Sequence, residues 1–228
     1  MSINQNVANI AALISEYSRS AILTVLMDGR FHTASELSFM IGITPQTISY
    51  HLSKLVEGNI IAVEGQGRHR YFGIQNQEVA QIMEYLLAIA PPVEIKSLRQ
   101  SREDNAIRIA RTCYDHIAGN LGVKITDSLI KKNVIKQSEN EFVLSIEGEH
   151  FLNDFQIKIE DVIKKRRSFC HKCLDWSERR HHLAGALGNA LLERFLELQW
   201  ISRSVNSRAL IITPHGKKEI QDKFSIEI

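Results

Sequence analysis

The sequence lacks any run of apolar residues long enough to span a bilayer, and its first residues lack the pattern of a signal peptide. Only three cysteines occur among 228 residues, and an odd number is a poor basis for a disulfide framework. No phosphate-cradling glycine loop, nucleophile elbow or zinc-protease helix is found either. These absences predict a cytoplasmic protein that is not an enzyme and does not associate with membranes.

Length and composition allow two domains, each with a core of its own. A hydrophobic content of 44% supports sizeable cores, and 24% charged residues is ordinary for a globular protein. The formal net charge of +2 says little about partners, so the local distribution of charge matters more. The basic run at 164–167 (KKRR) is interpreted as a solvated loop rather than as a contact surface for a polyanion such as DNA.

The segment 33–72 is the most informative part of the chain, because two short helical patterns are followed by a basic hairpin. Thr33 or Ser35 can cap a first helix, whose apolar residues recur at spacings of three and four. Gly42 supplies the tight turn between two helices that cross at a steep angle. This order predicts a winged helix-turn-helix.

The second helix of the pair has the composition of a DNA recognition helix. Thr44 is its N-cap, and Pro45 falls at the first helical position, where the missing N–H costs nothing. Ile48, Leu52 and Leu55 form its inward face. The positions between them that can point outward are polar, aromatic or cationic: Gln46, Thr47, Ser49, Tyr50, His51 and Lys54.

Two short strands, 60–63 and 71–74, are predicted to follow the recognition helix as a wing. The tip between them carries Arg68 and Arg70, which can lie along a minor groove or the backbone and neutralise phosphates. Taken singly, each piece could be a solvated hairpin or an ordinary amphipathic helix. Their order and spacing favour binding of double-stranded DNA.

The stretch ITPQTISYHLSKLVEGNIIAVEGQGRHRYFGI resembles the recognition helix and wing of ArsR/SmtB-type bacterial transcriptional regulators. The resemblance covers about residues 5–90 and implies a dimeric, operator-binding repressor that a small effector releases. It makes four side chains the candidates for reading bases: Gln46, Thr47, Ser49 and Tyr50. His51, Lys54, Arg68 and Arg70 would contact the DNA backbone, and Thr44 completes the candidate set.

A further helix is predicted from a cap at Asn76 through Ile89, with an apolar face that is broad for a small domain. The face suits dimerisation, since symmetric dimers read palindromic operators, and packing within the chain is the alternative. Pro91-Pro92 stops this helix. We therefore predict a DNA-binding and dimerisation domain over 1–92 and an effector-sensing or regulatory domain over 93–228.

The second half reads as helices followed by a hairpin, and hence as a domain that is itself loosely winged-helix-like. The fold class expected is mainly α with short β-hairpins, that is, α+β. Helices are predicted over 97–120, 122–132, 174–198 and from Pro214, with strands at 141–145, 200–203 and 209–213. No internal repeat is expected. The stretches ARTCYDHIAG and CLDWSERRHHLAGALG resemble a longer subgroup of ArsR-type regulators, which identifies no effector-binding residue.

Cysteine and histidine supply the chemistry of this half. Cys113 and His116, three apart on a predicted helix, could join the C-x-x-C pair Cys170 and Cys173 in a tetrahedral site for Zn²⁺ or another soft or borderline ion. Buried, unused thiols and thiol-redox sensing are the alternatives. The metal sites most frequent in ArsR-type proteins are absent, because SELSFMIG holds no cysteine or histidine and NQEVAQIMEYLLAI holds no histidine.

Other residues of the second half admit two interpretations. His181 and His182 are adjacent, so on a helix they cannot chelate one ion together, and packing or surface charge is expected of them. Trp176, Trp200 and Tyr114 belong to the core or else line an apolar effector pocket. At the level of the whole protein, the alternative to a regulator is a zinc-stabilised interaction module without operator specificity.

Overall fold

In a computed structural model, residues 5–91, 94–139, 141–165 and 167–228 are described. They fall into two units, Met1–Met83 and Glu84–Ile228. Helices alternate with short antiparallel strand pairs, which confirms the predicted α+β class. The domain boundary expected at Pro91-Pro92 stays a prediction, and Pro92 lies outside the described residues. Among the helices of the described ranges, none has the length and apolar character needed to cross a membrane.

The first unit is a helical bundle with a three-stranded sheet. Its elements are α1 (Gln5–Ser15), α2 (Tyr17–Leu26), β1 (His32–Thr33), α3 (Ala34–Ile41), α4 (Pro45–Glu57), β2 (Ile61–Gln66) and β3 (His69–Ile74), and α5 (Gln77–Ile89) crosses the division between the units. The strand order is β1-β3-β2, and both pairings are antiparallel. The core is formed by the inward faces of α2, α3 and α4.

The caps expected from the sequence define the helix-turn-helix. Thr33 caps α3 in a capping box with Glu36, and Gly42 ends that helix in the left-handed conformation at φ 77°. The Thr44 side chain accepts from the Thr47 N–H at the start of α4, and Pro45 follows the cap. These local interactions confirm the predicted caps and the predicted turn between α3 and α4.

The wing is longer than predicted. Strands β2 and β3 pair from Ile61↔Ile74 out to Gln66↔His69, so only Gly67 and Arg68 form the turn. The predicted strands stopped earlier because polar residues, which resemble loop composition, occupy the outer rungs. A solvated hairpin end needs no apolar alternation to pair its backbone.

The second unit contains six helices and eight strands among its described residues, apart from the end of α5. They are α6 (Leu98–Ile109), β4 (Arg111–Cys113), β5 (His116–Ala118), α7 (Gly119–Lys131), β6 (Ile135–Gln137), β7 (Phe142–Leu144), α8 (Ile146–Asp154), α9 (Ile159–Ile163), β8 (His171–Leu174), β9 (His181–Ala184), α10 (Gly185–Glu197), β10 (Ile201–Arg203), β11 (Leu210–Ile212) and α11 (Pro214–Phe224). The predicted last hairpin and the helix from Pro214 are confirmed.

Two predicted helices are wrong in the same way. The helix expected over 97–120 ends at Ile109, and the chain continues as the β4–β5 hairpin. The helix expected over 174–198 begins only at Gly185, after the β8–β9 hairpin. The reason is tertiary: Arg111, Thr112 and Cys113 are all buried, so these strands lack the alternation of exposed and buried residues that marks a half-buried strand.

The second unit contains two copies of one structural repeat. This corrects the expectation that no motif recurs. The order ββαββα occurs twice, first in β4 to α8 and again in β8 to α11. The heptapeptide His-(Ile or Leu)-Ala-Gly-x-Leu-Gly begins at His116 and again at His182, each time at the last strand of the first hairpin. We call 111–154 the first repeat and 171–224 the second repeat.

The two repeats exchange backbone contacts reciprocally. Arg111 of the first repeat forms a bridge with Ala209 of the second, and His171 of the second forms one with Glu141 of the first. A shared apolar core fills the space between the helices, with Phe155, Phe195 and Trp200 in mutual ring contact. Trp200 is therefore a core residue, as one of its two interpretations had it.

Candidate functional site

The first candidate site is the exposed side of α4. Thr44, Gln46, Ser49 and Tyr50 are exposed, and Tyr50 shows 59% of its surface to solvent. Thr47 is half-buried, with its hydroxyl oxygen 2.9 Å from that of Thr44. Amide, hydroxyl and phenol groups on one helix face can donate to and accept from base edges.

Ser53 belongs to the same face, although it was not predicted. Its hydroxyl donates to the Ser49 carbonyl at 3.0 Å, one turn back along α4, and the Ser49 hydroxyl donates to the Pro45 carbonyl at 2.8 Å. Both hydroxyl groups are exposed and can rotate toward another acceptor. The sequence signal was the spacing of four residues from Ser49, which places Ser53 on the same side of the helix.

The wing supplies positive charge next to this helix. Arg68 and Arg70 are exposed at the end of the hairpin, and the Arg70 guanidinium lies 5.4 Å from the centre of the Phe72 ring. A groove of about 290 Å³ separates the wing from α4, and its lining includes Ser49, Ser53, Arg68 and Arg70. We call the exposed side of α4 together with Arg68 and Arg70 the helix-and-wing face.

Two candidate backbone contacts differ from expectation. His51 was expected to point outward, but it is buried, and its Nδ1 lies 3.4 Å from a Glu16 carboxylate oxygen. It follows Tyr50 and precedes Leu52, which places it at the edge of the inward face of α4. Lys54 is half-buried and donates to the Glu57 carboxylate at 2.9 Å. Its charge is partly balanced within the helix.

The second candidate site is a group of Cys113, His116, Cys173 and His182, which we call the Cys–His cluster. Its four donor atoms lie within 4.8 Å of one another, and such a group can hold a metal ion. The two sulfur atoms are 3.7 Å apart, and the Nε2 atoms of the two histidines are 3.0 Å apart. Cys113 and both histidines are buried, while Cys173 is half-buried.

Each repeat contributes one cysteine and one histidine from the same place in the fold. Cys113 pairs with His116 across the β4–β5 hairpin, and Cys173 pairs with His182 across the β8–β9 hairpin. Cross-strand neighbours in an antiparallel pair present their side chains to the same face. The hairpins therefore bring a thiol and an imidazole together twice, and the reciprocal packing of the repeats unites the two pairs.

Two carboxylates hold the far side of the imidazole rings. An Asp115 oxygen lies 3.3 Å from His116 Nδ1, and an Asp175 oxygen lies 3.2 Å from His182 Nδ1. Each carboxylate also meets an arginine. Arg111, fully buried, donates to Asp175 at 3.0 Å, and Arg167 donates to Asp115. Arg167 therefore does not behave as part of a solvated loop, whereas Arg166 lies outside the described residues.

The electrostatic surroundings shift several ionisable groups. The hydrogen bond with Cys173, together with burial, raises the pKa of the Cys113 thiol. Burial lowers the pKa of His116, but Cys113 and Asp115 raise it more, to about 10. Burial raises the pKa of Asp175, yet the His182 ring and the Arg111 charge bring it well below its ordinary value. Because metal ligands must be deprotonated, a cation that enters would release protons.

The structure brings together three of the four metal ligands expected from the sequence. Cys170 is apart from the cluster: it packs in the apolar core, where burial raises its pKa to about 12. His182 takes the fourth place, and the sequence interpretation missed it by assigning His182 to a helix. The recurring His-x-Ala-Gly heptapeptide was the signal that could have found it.

A helix-turn-helix, a wing and a cationic hairpin end define a winged helix-turn-helix DNA-binding protein. Residues 17–63 match the family model described as "Bacterial regulatory protein, arsR family". The chain is 47% identical over 225 residues to YdfF of Bacillus subtilis (strain 168), an uncharacterized HTH-type transcriptional regulator, covering 99% of this chain and 100% of that protein. The chain therefore belongs to the ArsR family of DNA-binding transcriptional regulators.

The chain is also similar to solved structures over part of its length. One is the homodimeric DNA-binding domain of Mb0332 from Mycobacterium bovis, 21% identical, covering 37% of this chain and 78% of that chain, at a TM-score of 0.35. Another is the transcriptional repressor BigR from Xylella fastidiosa, 25% identical, covering 39% and 90%, at a TM-score of 0.36.

Proposed function

We propose that the protein binds an operator as a dimer, represses transcription, and is released by an effector that acts through residues 93–228. The observation that carries the proposal is the helix-and-wing face, which joins base-reading groups to two arginines. Gln46, Thr47, Ser49 and Tyr50 would read base edges in the major groove. Arg68, Arg70 and Lys54 would contact phosphates, and Thr44 would fix the start of the helix.

Exposed apolar side chains on two helices support self-association. On α1, Val7 and Ile10 are exposed at 64% and 37%. On α5, the apolar residues with exposed surfaces are Ile82, Tyr85, Leu86 and Ile89. Rows of apolar groups in water are typical of surfaces that a second copy covers. A two-fold dimer would present two recognition helices about one helical turn of DNA apart, so a small change in their spacing costs affinity.

The effector supported best is a soft or borderline metal ion, with Zn²⁺ as the first candidate. The Cys–His cluster offers two sulfur and two nitrogen donors, the ligand types that such ions prefer. The same cluster favours a second candidate function, a zinc-stabilised interaction module without operator specificity. A third, thiol-redox control of the regulator, is favoured by the short distance between the two sulfurs.

Selection of an operator separates these functions. The full-length chain would be incubated with a randomised pool of duplex DNA, and the enriched sequence would be titrated over a range of salt concentrations. We expect a palindromic site, a dimer per site, and affinity that falls steeply with salt because phosphate contacts release counterions. Equal affinity for enriched and scrambled duplexes would refute the hypothesis of an operator-binding regulator. The zinc-stabilised interaction module would then be the remaining hypothesis.

A further inference from the structure

We propose that Cys113, His116, Cys173 and His182 form a closed tetrahedral site for one borderline divalent cation of the Zn²⁺ class, held jointly by the two repeats. Only the regulatory role of this ion rests on the proposed function. The binding site itself stands on the geometry of the second unit. It also replaces Cys170, which the sequence had suggested, by His182.

The distances between donor atoms suit a tetrahedron. Zinc binds thiolate at about 2.3 Å and imidazole nitrogen at about 2.0–2.1 Å, so a tetrahedral centre requires a sulfur–sulfur edge of about 3.8 Å and a nitrogen–nitrogen edge of about 3.4 Å. The cluster has 3.7 Å between its sulfurs and 3.0 Å between its Nε2 atoms. A disulfide would instead need about 2.0 Å between the sulfurs.

The chemistry of the donors selects the class of ion. Two thiolates and two imidazoles disfavour Mg²⁺ and Ca²⁺, which take oxygen ligands, and they favour Zn²⁺ and related ions. Two thiolate charges balance one divalent cation, so a loaded site is neutral where it is buried. Four protein ligands also leave no position for substrate, which is typical of structural or regulatory zinc sites.

The outer carboxylates orient the rings for this role. With Asp115 at Nδ1 of His116 and Asp175 at Nδ1 of His182, the Nε2 atom of each ring faces the centre of the cluster. A carboxylate behind a histidine is the usual outer partner of a zinc-bound imidazole. Both Asp-His pairs are present, one in each repeat, and an arginine balances each carboxylate.

The facing Nε2 atoms suit one shared ion. The two ring nitrogens are 3.0 Å apart, and the opposite nitrogens lie 3.3 Å and 3.2 Å from carboxylate oxygens of Asp115 and Asp175. A cation bound between the repeats would take the lone pairs of both Nε2 atoms and leave each Nδ1 to its carboxylate.

Glycines allow the repeats to come close enough to share the ion. A Cβ at Gly188 on α10 would lie 2.6 Å from the Leu183 carbonyl oxygen and 3.2 Å from His116 Cβ. At the equivalent Gly122 on α7, a Cβ would lie 2.5 Å from the Ile117 carbonyl oxygen and 3.7 Å from His182 Cβ. Each repeat thus leaves room beside its own hairpin for the histidine of the other.

The test uses the full-length, tag-free chain purified under reducing conditions. Elemental analysis is expected to find about one Zn²⁺ per chain, and stripped protein is expected to take up Co²⁺ with the strong visible bands of tetrahedral cobalt and a thiolate charge-transfer band. Mg²⁺ should not compete. Weak octahedral Co²⁺ bands, or no tight uptake of either ion, would overturn the site whether or not any variant folds.

Matched variants test which residues bind. Cys173→Ser and His182→Gln are expected to weaken Co²⁺ binding at least 100-fold and to alter its bands. The neighbouring Cys170→Ala and His181→Gln should retain wild-type stoichiometry and spectrum, since Cys170 lies in the core and His181 is exposed. Equal losses in the control and ligand variants would contradict the assignment.

Operator binding separates this inference from the proposed function. We expect the stripped and Zn²⁺-loaded chains to differ at least tenfold in affinity for the selected operator, with no difference in His182→Gln. Tetrahedral metal binding with equal operator affinities would overturn the regulatory role of the ion, but the metal site would stand. Sequence-specific operator binding without metal binding would overturn the metal site, but the proposed function as a regulator would stand.

Discussion

The sulfur atoms of Cys113 and Cys173, 60 residues apart in sequence, lie 3.7 Å from each other. Each comes from the first hairpin of its own repeat, so their proximity depends on the packing of the repeats. At this distance the two thiols are direct neighbours that are not joined by a disulfide. This relationship leads to the first prediction.

Removal of metal should expose the two thiols to oxidation. After chelation, one equivalent of hydrogen peroxide is expected to oxidise the two thiols to a Cys113–Cys173 disulfide, with the oxidant reduced to two molecules of water. Zn²⁺-loaded protein should resist, because both sulfurs are occupied. Peptide mapping without reductant measures the linkage, with Cys170→Ala as the control. Linkage through Cys170 in the wild type would contradict this expectation.

On the helix-and-wing face, substitutions of Arg70 and Gln46 should have different effects on DNA binding. Arg70→Ala is expected to weaken binding to all duplexes alike. It should also make the plot of log affinity against log salt concentration less steep by about 1, the loss expected for one phosphate contact. Gln46→Ala should cost about 1–3 kcal/mol on the operator and little on scrambled DNA. Fluorescence anisotropy measures both, and exposed Arg99 on α6, mutated to Ala, controls for net charge. Wild-type affinity and preference in both variants would remove the assigned roles.

A buried carboxylate in the first unit should make that unit sensitive to acid. Asp28 accepts from Arg30 Nε at 2.6 Å and lies 2.8 Å from His32 Nε2. Burial raises the pKa of Asp28, but the contacts with His32 and Arg30 lower it more, below its ordinary value. Because the folded pKa lies below the unfolded one of about 3.9, this stabilisation is present at neutral pH and is lost as the pH falls through the acid range.

The measurement is chemical denaturation of the full chain between neutral pH and pH 3. Asp28→Asn is expected to lower the free energy of unfolding at neutral pH by about 1–3 kcal/mol and to flatten its decline in acid. Asp222→Asn, at an exposed site on α11, is the control. An unchanged acid profile in the Asp28 variant would refute the role of this carboxylate.

The buried pair of Glu84 and Arg208 should show strong coupling. Their side chains are 3% and 5% exposed, and Arg208 Nη1 donates to Glu84 at 2.7 Å. Glu84→Gln leaves a buried guanidinium without its anion and is expected to cost about 3–5 kcal/mol. The double variant with Arg208→Met should be more stable than that single variant, since no unpaired charge remains. A double-mutant cycle measured by denaturation tests this, and additive losses would contradict it.

The DNA-binding half could be predicted because its signals are local. Caps at Thr33 and Thr44, the turn at Gly42 and the spacing of apolar residues in α4 act within a few residues. The length of the wing, the exposed Ser53 and the inward position of His51, which lies 3.4 Å from a Glu16 carboxylate oxygen, were missed. Neighbouring elements decide whether a residue at the edge of a helix face is exposed, so the spacing of apolar residues along the helix cannot predict it.

The Cys–His cluster could be predicted only in part, because its strands have three or four residues and show no alternation of buried and exposed positions. Two residues separate Cys113 from His116, a spacing that suits one face of a helix as well as a tight hairpin. Eight separate Cys173 from His182, so the longer loop concealed the equivalence of the repeats. Which cysteines meet follows from the reciprocal packing of the repeats, a long-range feature.

The reciprocal strand bridges between the repeats, Arg111 with Ala209 and His171 with Glu141, have an evolutionary consequence. A single ancestral repeat with one cysteine and one histidine would have carried half of a binding site, completed only by pairing with an identical copy. Duplication and fusion would have made assembly of that site independent of protein concentration. The fused copies would then have been free to diverge in loop length and in their acidic and basic partners, while each cysteine–histidine pair kept its place in its hairpin.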